Sequence, residues 1–130
     1  DYAEWLLSYE WGEPNLDRFC DAIEAAVETM AGPGRVQTLA RYALFLEGIH
    51  NPSVAAAVQL GRDRLRGWAV GAVAALGVSE PEARAAALFA FIDGVVLHRL
   101  SLPAESQHVG GRPSESIDVQ LTVRRMLADG

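Results

Sequence analysis

The sequence predicts an all-α fold of about five helices behind a short helical stub. Three observations carry that expectation. Apolar residues recur with a period near 3.6 along most of the chain. No stretch alternates with the two-residue period of a half-buried strand. Strong breakers separate the periodic stretches: Gly12-Glu13-Pro14, Gly32-Pro33-Gly34, Asn51-Pro52 and Gly77.

Taken in order, Asp1 to Trp11 carries Tyr2, Trp5, Leu6 and Tyr9 at helical spacing without a visible cap. It reads as the end of a linking helix over residues 1–12, in a chain that begins part-way along a longer one and continues as one domain over 13–130. Asn15 is a good N-cap for the first full helix. There Leu16, Phe19, Cys20, Ile23, Val27 and Met30 share a stripe, and the acids take a face that reads as solvated. The second helix, about Arg35 to His50, has a wide apolar arc that predicts contact on two sides. Its end is set by Asn51-Pro52, since the residue before proline is steered away from helical geometry. The third runs from a Ser53 cap to about Leu76, with Arg62, Asp63, Arg64 and Arg66 clustered in its middle and Gly77-Val78 as a glycine C-cap with its hydrophobic contact. The glycines at 61, 67 and 71 fit close helix packing. Ser79-Glu80-Pro81-Glu82 has the pattern of a capping box for the fourth helix, which reaches about Leu100. That helix is apolar nearly all round, so it needs cover on every side, and a partner subunit would supply it. Pro103 to Pro113 reads as a polar loop. The last helix, about Ser114 to Ala128, has a broad apolar arc.

The composition narrows the function. The chain has 130 residues, half of them apolar and 22% charged, as a folded domain should. Its net charge is −6, and every basic residue is arginine. Residues 1–30 hold eight acids and one base, and the remainder is near neutral. No basic face is left for a phosphate backbone, so this stretch should not bind nucleic acid by itself. The single cysteine, Cys20, excludes an internal disulfide and fits a reducing, cytoplasmic setting. No signal peptide and no membrane-length apolar run is present.

Chemistry-bearing motifs are sparse. There is no nucleophile elbow, P-loop or dinucleotide fingerprint, so no enzyme and no cofactor is expected. His50, His98 and His108 are isolated in sequence, and metal sites usually show a close ligand pair, so no metal is expected either. His50 and His98 lie near predicted helix ends, where the dipole favours a partly positive ring; either could also serve as a ligand donor. Asp93 is the one carboxylate inside the apolar helix. A buried charge must be paired, by a Tyr or Arg of the same chain or by a bound ligand. Gly94 costs about 1 kcal/mol against alanine in mid-helix, which fits close approach of another helix. The aromatic residues Tyr42, Phe45, Trp68, Phe89 and Phe91 fit a filled core first, and the walls of a ligand cavity second.

Three stretches then resemble a known family. They are Arg41-Tyr42-Ala43-Leu44-Phe45-Leu46-Glu47 ending in Asn51-Pro52, the helix ending Ala74-Ala75-Leu76-Gly77-Val78, and Ala87 to Leu100 with its Asp93-Gly94 pair. Together with the order of helices and breaks, they are similar to the ligand-binding domain of TetR-type transcriptional regulators, over roughly residues 14–128. The resemblance implies homodimerisation through the last two helices, packed with their mates as a four-helix bundle. It implies a cavity of a few hundred cubic ångströms walled by the second, third and fourth helices, for a small apolar effector. Its expected contacts are Tyr42, Phe45, Leu46, Ile49, His50, Trp68, Phe89, Asp93 and His98. The expected dimer contacts are Leu88, Phe91, Ile92, Gly94, Val95, Ile117, Leu121 and Arg124. No helix-turn-helix is recognisable in these residues. The expected function is therefore the sensing and dimerising half of a repressor, with operator DNA bound only through a separate N-terminal domain. The alternative is a stand-alone dimeric helical interaction module.

Overall fold

A computed structural model describes residues 15–102, 108–109, 112–113 and 117–128. They form five helices: α1 (Leu16–Ala31), α2 (Arg35–Gly48), α3 (Pro52–Ala75), α4 (Pro81–Ser101) and α5 (Val119–Leu127). The expected all-α class is the one the chain adopts. A two-residue antiparallel rung, β1 (His108–Val109) against β2 (Arg112–Pro113), lies in the stretch expected to be a loop. The expected linking helix over 1–12 is outside the described residues.

The helix ends follow from local chemistry. The Asn15 side chain accepts from the Arg18 N–H at 3.2 Å and opens α1. Asn51, not Ser53, caps α3: its side chain accepts from the Ser53 and Val54 N–H groups. Pro52 then takes the first helical position, where its missing N–H costs nothing. The capping box expected at Ser79 and Glu82 does not form. Proline disfavours helical geometry in the residue before it, so Glu80 cannot join the helix; it is the N-cap, left-handed at φ 50°, with no side-chain cap bond. At the end of α3, Gly77 takes φ 78° as expected. Asp118 accepts from Leu121 N–H at 2.9 Å, which starts α5 at Val119, later than the sequence indicates.

The core lies where α1, α4 and α5 meet the end of α3, around Phe19, Val27, Val73, Leu88, Val96 and Val123. The α1 acids are not simply solvated. Gln120 donates to Asp21 at 2.8 Å and to Glu24 at 2.6 Å, and Arg124 pairs with Asp17 at 2.6 Å, which fixes α5 on α1. Arg84 donates to the Met126 and Ala128 carbonyls and satisfies the C-terminal end of α5. At the other end of α4, Arg35 donates to the Leu100 carbonyl at 3.2 Å and ties down the start of α2.

Three packing expectations are corrected. First, within the protomer one side of α4 stays uncovered, as expected of a helix left for a partner, but that side does not carry all the expected contacts. It buries Ala85, Leu88, Ile92, Val95, Val96 and Leu100, and leaves Ala83, Ala87, Ala90, Gly94 and Leu97 exposed. Leu88, Ile92 and Val95 thus face their own core, Phe91 packs against it, and Arg124 is engaged by Asp17 of its own chain. Of the expected dimer contacts, Gly94, Ile117 and Leu121 are exposed. An apolar sequence does not say which side of a helix turns inward. Second, α2 is contacted on one side only: Thr38 is its one buried residue, and Val36, Leu46 and Ile49 are 74%, 65% and 71% exposed. Third, among the described residues a Cβ placed on Gly61, Gly67, Gly71 or Gly94 would meet nothing within 4 Å, so no described neighbour requires these glycines.

One substitution should therefore act with opposite signs at two glycines, one within α3 and one just past its end. Gly77→Ala forces a side chain into left-handed backbone and should lower stability by about 1 kcal/mol. Gly71→Ala, in open space within α3, should raise it by up to about 1 kcal/mol. Urea denaturation of the two variants measures both.

Candidate functional site

On α2, Tyr42 and Phe45 are three residues apart and share a face. On α3, Arg62 lies on the same side as Leu65 and Ala69, three and seven residues on. On α4, Phe89 and Asp93 are stacked one turn apart. These faces meet over Ile23, Ala26 and Met30 of α1 and leave a partly open cavity of about 360 Å³. The volume is near the lower end of small-molecule sites.

A polar network crosses one side of it. The Tyr42 hydroxyl donates to Asp93 Oδ1 at 3.0 Å, and Arg62 approaches Asp93 Oδ2 at 3.8 Å. The Arg62 guanidinium also lies over the Phe45 ring, 4.4 Å from its centroid, a cation–π geometry. Phe45 tilts against Tyr42 at 5.6 Å, and Trp68 stacks on Phe19 at 6.2 Å. Burial drives the Tyr42 phenol pKa well upward, and the charge and hydrogen bond of Asp93 add to the shift, so the phenol stays protonated. The thiol of Cys20, in the core, is likewise pushed up by burial.

Of the residues expected to contact a ligand, Phe45, Trp68, Phe89 and Asp93 line the cavity. Tyr42 stands behind Asp93 as its hydrogen-bond donor. Leu46, Ile49, His50 and His98 are exposed and not in the lining. Leu46 is turned about 100° from Phe45. Ile49 and His50 follow the last residue of α2. His98 is about 140° round α4 from Asp93.

Sequence reasoning missed the basic part of the lining, Arg41, Arg62 and Arg66. Their signal was available. Arg62 interrupts an apolar stripe through Val58, Leu65, Ala69 and Val73, and Arg41 sits beside Tyr42 and Phe45. An arginine on the inward side of a helix needs an acceptor or a cavity.

Among the described residues, the lining supplies carboxylates, guanidiniums and an amide on apolar walls, and no His, Ser, Thr, Cys or Lys. That set can hold and orient a molecule but offers no nucleophile paired with a base. Among the described residues, no three His, Cys, Asp or Glu side chains come together as a metal site. No helix of those residues is long and apolar enough to cross a membrane.

Comparison with known proteins gives one result. Residues 14–129 match the family model described as tetracyclin repressor-like, C-terminal domain. No curated protein and no solved structure matches the chain.

The network makes a pH prediction. A phenol pKa raised in the folded state contributes stability that is complete below the unfolded tyrosine pKa, about 10, and is lost as pH rises through the folded value. In an ultraviolet titration, one of the three tyrosines should ionise well after a free phenol. Asp93→Asn should bring that step down without restoring the ordinary value, because burial remains. An unchanged step in Asp93→Asn would disconnect Tyr42 from Asp93.

Proposed function

The chain belongs to the tetracyclin repressor-like C-terminal domain family, and on that premise we propose that it is the effector-sensing and dimerising half of a transcriptional repressor. The observation that carries this reading is the cavity. It is walled by α1 to α4, mostly apolar, and crossed by one polar network. A bound molecule would touch three helices that Asp93 already joins, so occupancy would bear on α2, α3 and α4 together. DNA would be engaged through a helix-turn-helix domain outside these residues. Effector and operator would then be linked reciprocally, each changing the affinity of the other by the same factor. The described lining, apolar with carboxylates, guanidiniums and one amide, suits holding a molecule, which supports the sensing reading.

The dimer surface in this proposal is the outward side of α4, where Ala83, Ala87, Ala90, Gly94 and Leu97 are exposed, with Ile117 just before α5 and Leu121 on it. Small side chains let two helix backbones approach closely, toward the short end of the usual 8–10 Å axis separation. An apolar face of this kind on a separate protomer is the mark of an interaction site. Ala90 also borders the cavity, so a partner helix would lie next to its mouth.

Light scattering should give a mass of twice the 14.0 kDa chain. Leu97→Arg, on the outward face, should halve that mass and leave the circular dichroism spectrum unchanged. Val95→Arg, in the core, should unfold the protomer. A Leu97→Arg dimer of normal mass would contradict this interface. For sensing, the neutral dye Prodan should brighten on binding, and Ala86→Trp at the cavity should abolish the effect. Brightening that survives Ala86→Trp would place the apolar site elsewhere.

A further inference from the structure

We propose that the cavity selects a small amphipathic carboxylate, its acid group held by Arg62 with Arg41 and its apolar body by Phe45, Trp68 and Phe89. This rests on the reading of the cavity as an effector site, and it replaces the wholly apolar effector expected from sequence.

Charge is the first argument. The chain carries −6, yet among the described residues the lining places three guanidiniums (Arg41, Arg62, Arg66) against two carboxylates (Asp63, Asp93). The cavity is thus a locally positive region in an acidic domain, with a surplus of one charge.

Both carboxylates also have nearer partners than the guanidiniums. Gln59 donates to Asp63 at 2.7 Å and Tyr42 to Asp93 at 3.0 Å. Arg62 reaches Asp93 only at 3.8 Å, beyond the 2.7–2.9 Å of a charge-assisted hydrogen bond. Its guanidinium carbon lies 4.4 Å from the Phe45 centroid, which holds its donors near the cavity wall. Arg41 donates to the Met30 sulfur at 3.7 Å, a weak acceptor. Two guanidiniums with poor acceptors therefore stand beside an apolar wall.

A neutral apolar ligand would displace water from these guanidiniums and give them nothing in return. A cation would meet the surplus of positive charge. A dianionic phosphate would exceed that surplus. A monoanionic carboxylate matches it and suits the paired donors of an arginine, and about 360 Å³ favours a compact body over a long chain.

Isothermal calorimetry with 1-naphthylacetate and its neutral amide tests the proposal on the chain as it stands. The acid should bind at least about tenfold tighter than the amide. Arg62→Gln should remove most of that preference, Arg41→Gln should reduce it, and Arg125→Gln on exposed α5 should leave it intact. Added salt should weaken the acid and not the amide. Equal binding of acid and amide, both lost in Ala86→Trp, would overturn the charge assignment and leave the cavity reading standing. Binding of neither would overturn both. Tighter binding of 1-naphthyl phosphate, or a preference untouched by both cavity arginine variants, would overturn the carboxylate assignment.

Discussion

Asp93 is the only charged residue between Ala85 and Leu97 of α4. A helix so uniformly apolar could be rotated several ways against its neighbours at similar cost, since burial is nondirectional. One carboxylate removes that freedom. Its side chain, 44% exposed, stands where Tyr42 of α2 donates to it at 3.0 Å, with Arg62 of α3 3.8 Å away. With that position fixed, Phe89 falls at the cavity one turn earlier. Leu88, Val95 and Val96 fall into the core, and Ala83, Ala87, Gly94 and Leu97 fall outside. The rotation of one helix therefore sets the core, the cavity and the free face together.

The two sides of α4 are held by different means. On the α1 and α5 side, apolar packing is dense, and Gln120, Arg124 and Arg84 add short polar bonds between elements. On the α2 side, a single residue of α2 is fully buried. This helix packs along α3 and is tied further by the Arg35 bond to Leu100, the Arg41 contact with Met30 and the Tyr42 bond to Asp93, with the Arg62 guanidinium over Phe45. Segments with few buried apolar contacts open and shift at lower cost than core elements. A cavity bordered by the dense core on one side and by α2, with its one fully buried residue, on the other is where a bound molecule can bias helix positions.

Much of this was legible in the sequence, for reasons that can be named. Helix order followed from period and breakers, and Gly77 announced itself because few other residues end a helix in left-handed backbone. Phe45, Trp68, Phe89 and Asp93 stood out as large rings and an isolated charge on inward stripes. The Ser79 cap failed because Pro81 overrules the residue before it, a steric effect that a pattern of capping residues does not weigh. Leu88, Ile92 and Val95 were assigned outward because α4 has no polar face to reveal its rotation. The cavity arginines were hidden by their setting: in a run of charges such as Arg62-Asp63-Arg64, sequence alone suggests a solvated patch, and only the register with Leu65 and Ala69 picks out Arg62. The pairing of α1 acids with Gln120 and Arg124 spans about a hundred residues and has no local signature.

The central claim is that Asp93 holds α4 so that an accessible cavity remains between Phe45, Trp68 and Phe89. A crystal structure of the chain under xenon pressure tests it most directly, since xenon occupies apolar cavities large enough to admit it. The account predicts a xenon peak against these three rings, with Asp93 still bonded to Tyr42. A structure in which Trp68 and Phe89 fill that space, with no xenon between them, would contradict it.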